Sequence, residues 1–169
     1  MIEVGSGFTS VVTLDTNEFY LNSSIELNFI EPNPKILKVT DKINLIESKL
    51  QEVPIEYFEK LESGDVLFID STHVSKIDSD VNYLFFEISP HLKKAVYFHI
   101  HDIFYPFEYP KQWIMDGMIW NEQYLFESIF TNNSDYSIVF FQNMMEQKYL
   151  SVFAEKWPLN LPITGGVYG

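Results

Sequence analysis

Short apolar runs alternate along this chain with longer segments whose apolar residues recur at helical spacing. The pattern predicts strands near residues 1–4, 25–31, 43–48, 65–70, 94–100 and 135–141. It predicts helices over residues 9–20, 33–39, 54–61, 79–90 and 120–132. Such alternation is typical of a sheet covered by helices on both faces. We therefore predict an α/β, Rossmann-like doubly wound sheet, mostly parallel with one antiparallel edge strand.

The length of the chain predicts a single domain over residues 1–169. No apolar run approaches the roughly 20 residues of a membrane span, so we expect no membrane association. The sequence has no cysteine, which excludes disulfides and thiolate metal sites. That composition agrees with a cytoplasmic location, which we take as the expectation.

Acidic residues dominate the charge of the chain. There are 24 acids against 11 bases, a formal net charge of −13 that repels phosphate backbones. We therefore expect no nucleic-acid partner and a small-molecule substrate instead. The chain also has 15 Phe, 10 Tyr and 3 Trp. Most of these rings are interpreted as core, and the rest could form a substrate pocket or a homo-oligomer contact.

The first eight residues combine a short strand with two glycines. Ile2 and Val4 flank Glu3, and the strand runs directly into Gly5-Ser6-Gly7. Glycines at this turn let the backbone pass close to a ligand. Twenty-four residues after Gly7, the second apolar run ends in Glu31, an acid placed to hold ribose hydroxyls. Together these features predict a nucleoside cofactor.

Further polar residues follow the other predicted strands. Asp70 ends the fourth, His101 and Asp102 end the fifth, and Gln51 follows the third. Because ligands of open parallel sheets bind at the carboxyl ends of the strands, we expect one polar crevice there. His73 is a further candidate for it.

Five stretches in order carry a family resemblance: residues 2–7, 29–32, 64–73, 80–84 and 99–106. Through them the chain resembles class I S-adenosylmethionine-dependent methyltransferases, in the branch called methyltransferase family 24. The likeness covers roughly residues 1–141. Relatives carry a helical segment ahead of the first strand and a final hairpin strand. We therefore expect that this chain lacks that helical segment and part of the final hairpin strand.

The resemblance implies a role for each residue of the crevice. The methionine part of the cofactor would be cradled by Glu3, Gly5, Ser6 and Gly7. Glu31 would accept hydrogen bonds from both ribose hydroxyls, and Gln51 would lie near the adenine. Asp70 would lie at the cofactor's amino group or at the reaction centre.

Methyl transfer to a hydroxyl also needs a group that removes the proton. His101 is the candidate base because histidine titrates near neutral pH, with Asp102 as its orienting partner and Asp70 beside it. Some relatives hold a divalent cation with acids at these strand ends, but here a histidine replaces one acid. We therefore predict no metal, with Mg²⁺ or Mn²⁺ on Asp70, His101 and Asp102 as the alternative.

The sequence thus predicts an S-adenosylmethionine-dependent methyltransferase that modifies a small molecule, with a hydroxyl as the expected acceptor. A catalytically inactive or truncated binding module with the same fold is the first alternative. An NAD-binding oxidoreductase is the second. It is disfavoured because Ser10 occupies the position of the third glycine that such a domain requires.

Overall fold

A computed structural model describes residues 1–37 and 43–156 of the chain. The chain divides into two compact units, Met1–Asp102 and Ile103–Gly169, the second described as far as residue 156. The prediction that residues 1–169 form a single domain stays a prediction. Within the described residues, no helix combines the length and the apolar character needed to cross a bilayer.

A five-stranded sheet forms the centre of the first unit. Its strands are β1 (Ile2–Val4), β2 (Asn28–Ile30), β3 (Asn44–Ile46), β4 (Val66–Ile69) and β5 (Tyr97–Ile100). They are all parallel, in the order β3-β2-β1-β4-β5. The predicted α/β, Rossmann-like fold is confirmed, whereas the antiparallel edge strand is not seen among the described residues.

Helices pack on both faces of the sheet, where β1, β2 and β4 are largely buried, whereas the edge strands β3 and β5 are partly exposed. On one face, Leu14 of helix α1 (Phe8–Tyr20) packs against a buried cluster that includes Phe29. On the other face, Phe85 contacts Phe98 of β5 edge to face, with ring centroids 6.2 Å apart. Val4 of β1 is aligned with Ile69 of β4 and is buried at the centre of the sheet.

Phe85 belongs to a continuous helical stretch. It begins as helix α2 (Asp80–Tyr83), continues with π-type geometry over Leu84–Ile88 and ends in a 3₁₀ turn at Ser89–His91. The Ser79 side chain caps its start by accepting the N–H of Asn82. The helix predicted over residues 79–90 is thus confirmed.

Two other predicted helices did not form as expected. Residues 33–37 are not helical, and the rest of the helix predicted over 33–39 lies outside the described residues. Pro32 and Pro34 remove backbone donors, and the Glu31 carboxylate accepts the N–H of Asn33 at 2.8 Å, which competes with helix formation. The helix predicted over 54–61 is reduced to a 3₁₀ turn, Ile55–Tyr57, preceded by another at Leu50–Glu52.

The described part of the second unit is helical. Its helices are α3 (Lys111–Met115), α4 (Glu122–Phe130), α5 (Gln142–Lys148) and α6 (Leu150–Lys156). Four aromatic rings pack edge to face in a closed cycle, with centroids 4.9 to 6.2 Å apart: Phe104, Tyr109, Trp113 and Trp120. The aromatic loop after β5 therefore supplies a small core of its own.

The strand predicted over residues 135–141 is wrong. This segment has no regular structure, and Ile138, Val139 and Phe140 are each at least half exposed. A strand needs a neighbour for its backbone groups, and the described part of the second unit contains no strand that could provide one. Apolar alternation alone therefore misled the prediction.

Candidate functional site

The carboxyl ends of the strands meet along one edge of the sheet in close register. At each end the first residue after the strand donates its backbone N–H to the last residue of the neighbouring strand. These bonds join Gly5 to Ile30 (3.0 Å), Glu31 to Ile46 (3.1 Å), Asp70 to Val4 (2.9 Å) and His101 to Ile69 (2.8 Å). Residues predicted from four separate parts of the sequence thus lie side by side.

Gly5 is required by the close approach of β1 and β4. Its φ of +89° lies in the left-handed region, and an added Cβ would overlap the backbone carbonyl oxygen of Asp70. Gly7 differs, because its φ of −161° is extended and no atom lies within 4 Å of the place of a Cβ. No described atom of the protein therefore requires a glycine at position 7. A ligand that passes close to the backbone would require one.

Glu3 is a buried carboxylate in the middle of β1, only 1% exposed. Its Oε1 accepts hydrogen bonds from Ser10 at 2.5 Å and from Thr9 at 3.4 Å. Its Oε2 is buried without a hydrogen-bond partner among the described residues. Burial raises the pKa of Glu3 above its usual 4.5, the hydroxyls of Ser10 and Thr9 oppose the shift, and the negative charge of Asp70 adds to it. A buried carboxyl group with a vacant oxygen is typical of a ligand contact.

Ser10 connects Glu3 to the glycine loop. Its hydroxyl accepts the backbone N–H of Gly7 at 3.0 Å while donating to Glu3, and the residue is completely buried. In the sequence, Ser10 stands out only because it occupies the position of a third glycine. One feature of the sequence could have predicted the bond to Gly7. Gly7 is the N-cap of α1, and Ser10 is the third residue of the helix, from which a side chain can bond back to the backbone of the N-cap.

Glu31 lies across the loop that follows β1. Its Oε2 accepts the backbone N–H of Ser6 at 3.2 Å, and its Oε1 accepts that of Asn33. These two bonds hold the partly exposed carboxylate beside the Gly5–Gly7 loop. Each oxygen retains a second lone pair for a hydroxyl donor.

Gln51 lies in the 3₁₀ turn that follows β3. Its side-chain amide donates to the carbonyl oxygen of Asp78 at 2.7 Å, on the loop before α2. None of the other predicted site residues takes part in this contact. The structure therefore places Gln51 after the third strand, as predicted, but its side chain bonds to the loop before α2 and to none of the other predicted site residues.

Asp70 is the centre of a charged cluster at the ends of β4 and β5. Its Oδ1 lies 3.5 Å from Nε2 of His73 and 3.8 Å from Nδ1 of His101. The hydrogen bond from His73 lowers the pKa of Asp70, burial opposes the shift, and His101 and His99 lower it further. His73 is buried at a φ of +60°, a strained conformation that is often found at functional sites. The structure thus places His73 against Asp70, beside the carboxyl end of β4.

His101 lies between two carboxylates. Its Nδ1 is 3.1 Å from Oδ1 of Asp102, within ion-pair distance. The contact is not an aligned hydrogen bond, since this nitrogen has no partner of good hydrogen-bond geometry among the described residues. The Asp102 carboxylate raises the pKa of His101 above its usual 6.5, burial opposes the shift, and Asp70 adds to it. The two carboxylates thus favour the protonated form of His101.

The same three side chains are those that could hold a metal ion. One ligand atom from each of Asp70, His101 and Asp102 lies within 4.8 Å of the others. Two carboxylates and one imidazole are a donor set that a divalent cation such as Mn²⁺ accepts, and a bound ion would compete with the imidazole proton of His101. That the site holds no metal stays a prediction.

Two buried polar atoms at or near the carboxyl ends of β1 and β4 have no hydrogen-bond partner among the described residues. They are Oε2 of Glu3 and Oγ of Ser71, and Nε2 of Gln123 in the second unit is another such atom. Folded proteins satisfy nearly all such atoms, because an unpaired buried group costs about 1–3 kcal/mol. The atoms of Glu3 and Ser71 lie on neighbouring strands, which favours a polar ligand or ordered water at this edge.

Comparison with known proteins identifies the family of this chain. The model of the family described as "Methyltransferase domain" matches residues 2–103, more than half of the chain, and this range includes every predicted site residue. An uncharacterized protein of Archaeoglobus fulgidus is 34% identical over 69 residues, which are 38% of this chain and 31% of that protein. The chain therefore spans about a third of the curated relative it matches. No solved structure matches significantly. The chain belongs to the methyltransferase domain family.

Proposed function

We propose that this methyltransferase uses S-adenosylmethionine and transfers its methyl group to a hydroxyl of a small molecule. Family membership supports methyl transfer. The donor, the acceptor class and the residue roles are parts of the proposal. The net charge of −13 favours an acceptor that is not itself strongly acidic.

The observation that carries the proposal is the vacant oxygen of Glu3. A buried carboxylate with one unused oxygen is satisfied by a cationic donor such as the ammonium group of the methionine part. A pyrophosphate at the same place would be repelled by Glu3 and by Asp70. The site therefore favours S-adenosylmethionine over a nicotinamide dinucleotide.

The remaining cofactor contacts follow from the strand ends. Glu31, already fixed beside the loop, would accept the two ribose hydroxyls. Gly7 would let the methionine part pass close to the backbone, where the structure leaves open space. Gln51 would lie near the adenine, after the third strand.

His101 would remove the proton of the acceptor hydroxyl. The bound donor supplies a methyl group on a positively charged sulfur. That sulfur would leave with the electron pair of the carbon–sulfur bond as the acceptor oxygen takes the methyl group. The proton moves to His101, and the carboxylates of Asp70 and Asp102 stabilise the imidazolium that forms.

Isothermal titration with S-adenosylhomocysteine tests the donor assignment. We expect the wild-type protein to bind and Glu31→Ala to weaken binding about tenfold or more, because two hydrogen bonds to a charged group are lost. Glu59→Ala, an exposed acid elsewhere in the first unit, is the matched control and should bind normally. Unchanged affinity in Glu31→Ala would contradict the ribose role.

Transfer itself is tested with S-adenosylmethionine carrying a radiolabelled methyl group and a panel of phenols and sugars. Label in any of these compounds supports the proposed reaction, and loss of labelling in His101→Ala supports the base. Tight binding of the donor with no label in any compound would instead favour the inactive binding module.

A further inference from the structure

We infer that Ser10 is a positioning residue that prepares Glu3 and Gly7 for the amino-acid end of the methyl donor. The inference rests on the proposed function and extends it to a residue outside the predicted cofactor set. It assigns Ser10 a part in selecting the ligand, beyond any part in starting helix α1.

A single hydroxyl group joins two parts of the crevice. Ser10 has one proton to donate, and the structure directs it to Oε1 of Glu3 at 2.5 Å. Its oxygen then accepts the N–H of Gly7 at 3.0 Å. Ser10 has no exposed surface, so water does not compete for either bond. The carboxylate of β1 and the start of α1 are thus held in one arrangement.

This arrangement determines which ligand groups the crevice accepts. The Gly7 N–H is a donor at the start of a helix, where phosphates commonly bind, and Ser10 occupies it. Oε1 of Glu3 is occupied as well, so Oε2 is the atom of this carboxylate left to accept a ligand hydrogen bond. The result is a single free acceptor, which suits the ammonium group of the amino-acid end.

A purely structural role for Ser10 makes a different prediction. A side chain that only caps the helix start would stabilise α1 whatever ligand is bound. Its loss would then weaken every nucleoside ligand to a similar extent. Ligands with and without the amino-acid end separate the two roles.

The test compares S-adenosylhomocysteine with 5′-methylthioadenosine, which keeps the adenosine and sulfur but lacks the amino-acid end. Calorimetric titrations use the wild-type protein, Ser10→Ala and the control Thr16→Ala, an exposed residue of the same helix. We expect Ser10→Ala to weaken S-adenosylhomocysteine about tenfold, the size of a hydrogen bond to a charged group, and methylthioadenosine less than about twofold. Thr16→Ala should change neither.

A double-mutant cycle tests whether Ser10 acts through Glu3. Glu3→Gln should also weaken S-adenosylhomocysteine selectively, and adding Ser10→Ala should cause little further loss, because coupled residues are not additive. Independent losses that add would overturn the inference. So would equal weakening of both ligands in Ser10→Ala, or no weakening of either. A wild-type protein that binds neither ligand would instead overturn the proposed function, and the inference with it.

Discussion

Gly5 and Gly7 lie two residues apart, yet the structure requires glycine at only one of them. In Gly5→Ala the new Cβ meets the Asp70 carbonyl at a φ of +89°, so β1 or β4 must move. We expect a loss of about 3 kcal/mol or more in the free energy of unfolding, measured by urea denaturation. Gly7→Ala points into open space and should change stability by less than about 1 kcal/mol.

The same pair of variants separates folding from binding. Gly7→Ala should keep its fold and lose affinity for S-adenosylhomocysteine, because its methyl group would fill the space left for the ligand. Full affinity in Gly7→Ala would show that the ligand does not approach this residue. Equal destabilisation by both substitutions would contradict the reason given for Gly5.

His101 shows how neighbouring charges set a proton affinity. We expect an NMR titration of its ring protons to give a pKa above the usual 6.5, with Asp102 as the main cause. Asp102→Asn should lower that pKa, because a neutral side chain no longer stabilises the imidazolium. Methyl transfer by His101 as a base should accordingly increase as the pH rises through this pKa. Identical titrations in the two proteins would exclude Asp102 as the cause.

At the scale of elements, the loop between β4 and α2 depends on Asp80. This nearly buried carboxylate accepts hydrogen bonds from the backbone and hydroxyl of Thr72 and from the backbone of Val81. Thr72 directly precedes the strained His73, so these bonds hold the histidine against Asp70. Asp80→Ala should cost about 2 kcal/mol of stability in urea denaturation and weaken S-adenosylhomocysteine binding.

Asp78 provides the matched control for this loop. It is exposed, lies two residues earlier and has a φ of 57° that asparagine also adopts. Asp78→Asn should stay within about 0.5 kcal/mol of the wild-type protein. If the two variants were equally stable, Asp80 would not be the residue that fixes the loop.

How much the sequence predicts differs between kinds of element. All five strands of the sheet were predicted, because each is a short run rich in apolar residues that is bounded by turn residues or by a helical pattern. The segment at 135–141 has a similar pattern, but its pairing depends on a neighbouring strand that no local pattern reveals. Helices α3, α5 and α6 were missed, because each has at most seven residues and shows little helical spacing of apolar residues.

For the site, the positions of residues could be predicted from the sequence, whereas most of their side-chain hydrogen bonds could not. Gly5, Glu31, Asp70 and His101 were placed together correctly, since parallel strands bring their carboxyl ends to one edge. The bond from Ser10 to Glu3 could not be predicted, because it depends on side-chain directions rather than on spacing. Topology therefore locates the crevice, and hydrogen-bond geometry determines its chemistry.

At the scale of the whole molecule, the net charge of −13 bears on the prediction that the protein holds no metal ion. Such a charge attracts cations without a specific site, and this attraction is screened beyond about 8 Å at 0.15 M salt. Asp102 and Asp70 raise the pKa of His101, and the imidazolium that this favours would compete with a metal ion for the two carboxylates. We therefore expect calorimetry at 0.15 M NaCl to show no saturable binding of Mg²⁺ or Mn²⁺, and EDTA to leave the affinity for S-adenosylhomocysteine unchanged. A one-to-one site that disappears in Asp70→Asn would contradict this expectation and assign the cluster to a metal, since that change removes a charged ligand and little volume.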